Sequence, residues 1–383
     1  MYITNIISKK IIMEYKKTSD TYISHSSTLG RDYYTKKRIF KKEHKNIFQN
    51  DWICAGHISE FSLPGYFKVI KNNNESALII KDNEDSINAF YNLCRHRGTR
   101  IKDEPCGRFK DKIRCNYHGW SYDFKGKLIS APHMSKVDGF KKSDFPLHEI
   151  PLKIWEGFIF LNFNDQANDF DNFFKPIKSK FEEWNIANLE IGNTIEYKIK
   201  CNWKLIIQNY SECYHCPIIH PKLSAIHNYL GGQNDLFRGP FLGGYMEFSD
   251  NKESITSTGN LCCPPINTLN DNSLSRVYYY YIFPNLLLSL HPDYVMYHII
   301  TPLKTDKTLI SCGWLFPEGV VSSKKYNLSE AINFWDQTNK EDWYISEQSQ
   351  LGIKSRKYEP SPYSTQESLL AAFDKYYLKR INK

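Results

Sequence analysis

No apolar run in this chain approaches the ~18 residues a membrane-crossing helix needs, so no membrane span is expected. The first residues also lack a secretory leader's charge order, because Lys9 and Lys10 follow the short apolar stretch instead of preceding it. Met13 is a second candidate start, and residues 1–12 are then expected to be disordered or absent. No basic helix with interleaved aromatics is present, which argues against a nucleic-acid partner. No H-E-x-x-H pair occurs, which argues against a zinc protease. The ten cysteines are scattered and show no disulfide framework; Cys213, Cys216, Cys262 and Cys263 sit beside apolar or aromatic residues and read as buried thiols. A reduced, cytoplasmic setting fits that pattern.

The charge excess is small, +8 over 383 residues, with part of it in the Lys-rich stretch 36–45. This reads either as a solvated surface or as a docking patch for an acidic electron donor. A chain of this length can bury a large core and is expected to hold two domains. Aromatics are abundant, with 26 Tyr and 23 Phe.

Two clusters of metal-ligand residues stand out. The first is Cys94-x-His96, followed after 18 residues by Cys115-x2-His118. Two thiolates and two imidazoles suit Zn2+ or a [2Fe–2S] cluster with two Cys on one iron and two His on the other. Zinc sites usually pair Cys with Cys and His with His along the chain. Here each loop gives one Cys and one His, the alternation a Rieske cluster requires. Residues 90–93 read as a strand entering the first loop, and residues 121–128 leave the second as a hairpin with a Lys-Gly turn.

The second cluster packs Asn209, Glu212, His215 and His220 into twelve residues. Residues 203–216 read as one helix with Asn209, Glu212 and His215 on roughly one side, ended by Pro217. On a continuous helix His220 would lie about 140° from His215, so the break at Pro217 is expected to turn it back. Two imidazoles and a carboxylate on one face of a metal is the arrangement of non-haem Fe(II) sites that activate oxygen. The bland alternative is a pair of hydrogen-bonded histidines near a helix end.

Residues 94–124, with Tyr-His-Gly-Trp at 117–120, resemble the Rieske motif of the ring-hydroxylating oxygenase α subunits. Asn202-Trp203-Lys204 followed by Asn209, Glu212, His215 and His220 resembles the same family's mononuclear-iron motif. The likeness runs from about residue 35 to about residue 355. The spacer between His96 and Cys115 is longer than usual and is expected to form a longer hairpin through Pro105-Cys106-Gly107. Most aromatic dioxygenases have Asp where this chain has Glu212; Glu there resembles the branch acting on choline, glycine betaine and carnitine. Respiratory Rieske proteins join their two cluster loops by a disulfide, which the second loop here cannot supply.

The resemblance implies an α+β fold. An N-terminal segment (1–34) would precede an all-β Rieske [2Fe–2S] domain (35–165) held by Cys94, His96, Cys115 and His118. A catalytic domain (166–383) would follow, with a curved antiparallel sheet and helices on one face. His215 and His220 would bind Fe(II), with a downstream carboxylate from the helical pattern at 328–352; Asp342 is the first choice and Asp336 the second. Glu212 and Asn209 would serve catalysis. Glu212 would bridge His215 to His118 of a neighbour in a homotrimer. A flavin-dependent NAD(P)H reductase or a ferredoxin would supply electrons, with O2 and a small molecule as substrates. A quaternary amine is the expected substrate. An aromatic ring hydroxylase or O-demethylase, for aromatic compound catabolism, is the alternative within the family. A non-catalytic electron-transfer protein is the alternative outside it.

From the residues alone, 195–199, 276–283, 286–290, 294–302 and 309–316 read as antiparallel strands, and one face of Tyr278–Tyr281 is expected to line the cavity. Residues 224–273 read as loops over the active site, and residues 1–30 as polar and poorly ordered.

Overall fold

The computed structural model describes residues 14–382, so the expectations for residues 1–12 and for Met13 lie outside the described residues. The fold is α+β, as expected. Its largest feature is an eight-stranded antiparallel sheet. Its order is Lys16–Lys17, Gln233–Phe237, Phe241–Glu247, Arg276–Ile282, Leu286–Leu290, Val295–Lys304, Lys307–Phe316 and Glu190–Ile199. The four antiparallel strands expected between 276 and 316 are present within one or two residues. Two further strands, Gln233–Phe237 and Phe241–Glu247, lie in the stretch read as loops. Gly243 and Gly244 hide them from a propensity reading, yet both positions need glycine. A Cβ on either would stand about 2 Å from a neighbouring strand's backbone oxygen, at 2.1 Å (Tyr279) and 1.7 Å (Gln233).

The tyrosine run shows why strand period matters. Tyr278 and Tyr280 point to one face, against Trp184 and Phe181. Tyr279 and Tyr281 point to the other, against Trp335 and Phe373. The helices Trp203–Tyr210, Ser329–Ile353 and Ser368–Ile381 contribute to the core on this second face. Residues 14–30 are tied down rather than loose. Lys16–Lys17 pairs with Gln233–Phe237, and the Thr21 hydroxyl lies 2.8 Å from that of Ser368.

Three smaller antiparallel sheets carry the first metal-ligand cluster. They join Leu152–Trp155, Phe158–Leu161 and Ile53–His57; Ile87–Tyr91, Glu75–Lys81, Tyr66–Asn72 and Cys106–Arg108; and Ile113–Arg114, Ser121–Tyr122 and Leu128–Ser130. The long spacer is therefore not a freestanding hairpin. Its Cys106–Arg108 segment becomes an edge strand, with Lys68 opposite Cys106. Cys106 is exposed and unbridged. The Lys125-Gly126 turn is present, and Gly126 takes a φ of +80° that other residues resist. A core of its own, including Phe67, Leu78, Phe90, Trp120 and Tyr122, closes around Cys94 and Cys115.

The helical pattern at 32–49 breaks where Lys36 is extended, into Asp32–Thr35 and Lys37–Glu43, before the wider turn His44–Phe48. No helix of the described residues is long and apolar enough to cross a membrane.

Candidate metal centres and the pocket beside the triad

The two cysteine–histidine loops are built alike. In the first, Gly98 N–H donates to the Cys94 carbonyl at 2.9 Å, with Gly98 at φ +70°. In the second, Gly119 N–H donates to the Cys115 carbonyl at 3.1 Å, with Gly119 at φ +73°. A glycine four residues after each cysteine lets the chain fold back at once, so Cys points inward and His outward. Cys94 and Cys115 are buried, while the rings of His96 and His118 reach the surface with their Nδ1 atoms 3.1 Å apart. Trp120 stacks on His96, centroids 4.9 Å apart and planes 8° off parallel. Two inward sulfurs beneath two converging outward nitrogens fit a [2Fe–2S] cluster with unlike irons. Sequence reasoning passed over Tyr122. Its hydroxyl lies 3.4 Å from Cys94 Sγ and accepts from Arg95 N–H at 3.1 Å. Such hydrogen bonding at a cluster sulfur tunes its potential.

The second cluster forms differently from the helical expectation. The helix spans Trp203–Tyr210 and stops there, so Asn209 is helical but Glu212 and His215 are not. Ser211 turns its hydroxyl back to the Ile207 carbonyl at 2.7 Å. The Glu212 carboxylate then accepts from the backbone N–H groups of Tyr214 and His215. These side-chain bonds replace the ladder that would have continued the helix. Pro217 is not the stop; it sits in the first turn of the short helix Cys216–Ile219. His215 and His220 flank this short helix, their rings 5.2 Å apart.

Cys213 and Cys216 are not free thiols. They form a disulfide across the turn, with Cα atoms 4.9 Å apart. Cys262 and Cys263 are buried free thiols, as expected.

Asp342 completes the set from the helix Ser329–Ile353. Its Oδ1 lies 2.8 Å from His220 Nε2 and 3.3 Å from His215 Nε2. The ligand atoms of the three residues lie within 4.8 Å of one another. Asp336, six residues back and so about 120° around the helix, instead accepts from Tyr197 Oη at 2.8 Å and pairs with Lys340. Each ring's other nitrogen is also held. Glu212 Oε1 is 2.5 Å from His215 Nδ1, and Glu341 Oε2 is 2.7 Å from His220 Nδ1. Carboxylates behind both imidazoles fix the tautomers that aim Nε2 at one point, as at histidine metal sites generally. Glu341 in this role was not singled out, although it adjoins Asp342.

The electrostatics agree with a cation site. Burial disfavours protonation of His215, yet Asp342 and Glu212 outweigh it and lift its pKa to about 10. Burial likewise opposes ionisation of Asp342, but the two imidazoles pull it down to about 2. Without metal, protons occupy the place where positive charge is favoured.

A pocket opens on this triad. Asn209, Tyr210, Tyr245, Tyr279, Tyr281 and Trp335 are among its lining residues, so one face of the tyrosine run lines it as expected. Among the described residues no Lys or Arg lines it, while Glu212 and Asp342 do.

The model of the Rieske [2Fe-2S] domain matches residues 51–141, and that of the ring hydroxylating alpha subunit (catalytic domain) matches residues 186–383. The chain is 27% identical to the glycine betaine monooxygenase oxygenase subunit of Pseudomonas aeruginosa, over 96% of this chain and 92% of that one. It is 26% identical to the carnitine monooxygenase oxygenase subunit of Escherichia coli K12, over 86% and 85%. The crystal structure of the quaternary ammonium Rieske monooxygenase CntA shares the fold, with a TM-score of 0.80 at 20% identity over 96% of this chain and 98% of that one.

Proposed function

Because the chain belongs to the ring-hydroxylating oxygenase α-subunit family, we propose that it oxidises a quaternary amine, hydroxylating an N-methyl carbon and so demethylating the nitrogen. It is a terminal oxygenase component with a Rieske [2Fe–2S] cluster and a mononuclear iron, fed with electrons by a reductase or ferredoxin. When bound, the cluster supplies electrons singly and the mononuclear iron activates O2.

We assign the cluster to Cys94, Cys115, His96 and His118, and the mononuclear iron to His215 Nε2, His220 Nε2 and Asp342. Glu212 and Glu341 orient the imidazoles. Asn209, with its side chain in the pocket wall, shapes the space beside them. The domain division at about residue 165 follows the same assignment. In the net reaction one oxygen atom enters the methyl C–H bond. The other leaves as water, with two electrons and two protons from outside. The resulting N–CH2OH loses formaldehyde: the C–N bond breaks, its electron pair stays on nitrogen, and the hydroxyl proton goes to solvent.

The pocket carries the substrate reading. Rings of Tyr210, Tyr245, Tyr279, Tyr281 and Trp335, with two carboxylates and no Lys or Arg among the described lining residues, suit a cation that cannot donate hydrogen bonds. The relatives named for glycine betaine and carnitine point the same way.

Both sites present apolar surface to solvent. Tyr117 beside His118 is 55% exposed, Tyr214 beside His215 is 58% exposed, and Ile218 is 83% exposed. Such neighbours fit a contact between the cluster face of one copy and the Glu212 face of the next, as a homotrimer requires.

The test is O2 uptake by reduced, iron-loaded enzyme with trimethylammonium compounds, benzoates and aryl ethers. Formaldehyde released in step with O2, only with the ammonium compounds, is the expected result. Uptake coupled only to aryl compounds would replace this reading with ring hydroxylation or O-demethylation.

A further inference from the structure

Two polar side chains in the pocket wall have no hydrogen-bond partner. His227 lines the pocket and is only 1% exposed, yet neither Nδ1 nor Nε2 meets a partner in another described residue. Tyr279 lines the same pocket, and its buried hydroxyl is also unpartnered. The two rings are neighbours, centroids 6.4 Å apart. Tyr210, by contrast, donates its hydroxyl to the Leu288 carbonyl at 2.9 Å and is satisfied. Buried polar groups are nearly always paired, because desolvation without a partner costs about 1–3 kcal/mol each. Two orphans side by side in a substrate pocket therefore mark a place where a ligand atom completes the bonding.

The charge of that atom can also be read. Burial drives the His227 pKa down to about 4, so the imidazole is neutral at physiological pH. The buried His291 nearby, with both nitrogens unpartnered, is likewise pushed well below its ordinary value. Among the described residues no Lys or Arg lines the pocket, and Glu212 and Asp342 are already paired with His215 and His220. A carboxylate held by this pair would be desolvated with no Lys or Arg beside it among the described lining residues. A hydroxyl meets no such penalty: it donates to an imidazole nitrogen and accepts from the phenol.

Resting on the quaternary-amine reading above, we propose that His227 and Tyr279 form a polar subsite for an uncharged oxygen of the substrate, so that this enzyme favours a quaternary aminoalcohol over a carboxylate-bearing betaine. The aromatic wall holds the cationic end while this pair holds the hydroxyl. His227 and Tyr279 thus determine specificity within a pocket whose remaining rings only recognise charge.

The test uses the iron-loaded holoenzyme with three probes: choline, glycine betaine and tetramethylammonium. Affinity is read by titration calorimetry and kcat/KM by formaldehyde release. Choline is expected to exceed both others by about tenfold, the worth of one well-placed neutral hydrogen bond. In Tyr279→Phe, which keeps the ring, the choline-to-tetramethylammonium ratio is expected to fall about tenfold. His227→Phe should lower the same ratio, and His227→Asn, which keeps a donor and an acceptor, should restore part of it. A preference for glycine betaine, or a ratio unmoved by Tyr279→Phe, overturns the subsite and leaves the quaternary-amine reading standing. Failure of all three probes to bind or react, with aryl compounds turned over instead, overturns both.

Discussion

The helix that leads into the iron site is anchored by a buried ion pair, and cutting that pair should be costly. Lys204 and Glu43 have side chains 0% and 1% exposed, with Nζ 2.5 Å from Oε1. Glu43 also accepts from Trp203 Nε1 at 3.1 Å and from Tyr377 Oη at 2.6 Å. One carboxylate thus ties Lys37–Glu43, the site helix Trp203–Tyr210 and the last helix Ser368–Ile381 together. Glu43→Gln leaves an ammonium in a dry interior. Removing one partner of such a pair costs about 3–5 kcal/mol. Rings of Tyr377, Trp203 and Tyr34 lie 5.1, 5.3 and 5.5 Å from Nζ and offset part of it. Allowing about 1 kcal/mol for those rings leaves a loss of about 3 kcal/mol. That corresponds to a fall in Tm of roughly 4 °C for a chain of this length. The sharper test adds Glu43→Leu with Lys204→Met. Replacing both charges removes the unpaired ion, so the double variant should recover at least half of the loss. Unfolding followed by circular dichroism and by denaturant titration reads both. A single-variant loss below about 1 kcal/mol, or a double variant no better than the single, would refute the view that the pair's cost lies in its unmatched charge.

Two further predictions follow from the site and its support. His215→Ala should abolish turnover and lower iron content by about one third while the cluster's visible spectrum persists; measurable turnover, or an unchanged iron content, would sink the ligand assignment. Asp374, 5% exposed, accepts from Gln208 Nε2 at 2.8 Å and Tyr363 Oη at 2.7 Å, and burial lifts its pKa from 3.8 to about 7. A raised carboxyl means the folded state holds a proton the unfolded chain has lost, so stability falls as pH rises from about 4 to about 7. The fall reaches about 4 kcal/mol, and Asp374→Asn should flatten it; an unchanged pH slope in that variant would refute the assignment.

What could be read from the sequence follows physical range. Strands such as 276–282 and 286–290 declare themselves because they are short Tyr- and Leu-rich runs parted by Pro284 and Asn285, the pattern of strands buried inside a sheet. Asp342 could be preferred over Asp336, and helical pitch separates the two, with Asp342 beside His220 and Asp336 beside Tyr197. Phe241–Glu247 could not be read, since Gly243 and Gly244 answer to close approach by neighbouring strands, and Gln233–Phe237 opens with the polar run Gln-Asn-Asp. The Cys213–Cys216 bridge was missed because apolar and aromatic neighbours made both cysteines read as buried thiols. The orphaned His227 and Tyr279 are legible only when the partners of every buried polar atom are known.

Glu212 shows why the site loop defeats a periodic reading. One of its carboxylate oxygens takes the N–H groups of Tyr214 and His215, and the other takes His215 Nδ1 at 2.5 Å. A continuous helix through residue 216 would satisfy those N–H groups with backbone carbonyls and leave Glu212 free to point elsewhere. The side chain instead ends the helix, and ending the helix is what brings it behind the His215 ring. Aspartate is one methylene shorter, so an Asp at this position would reach a different set of the same donors. A Glu212→Asp substitution therefore acts first on the path of the backbone, and through it on where His215 Nε2 points.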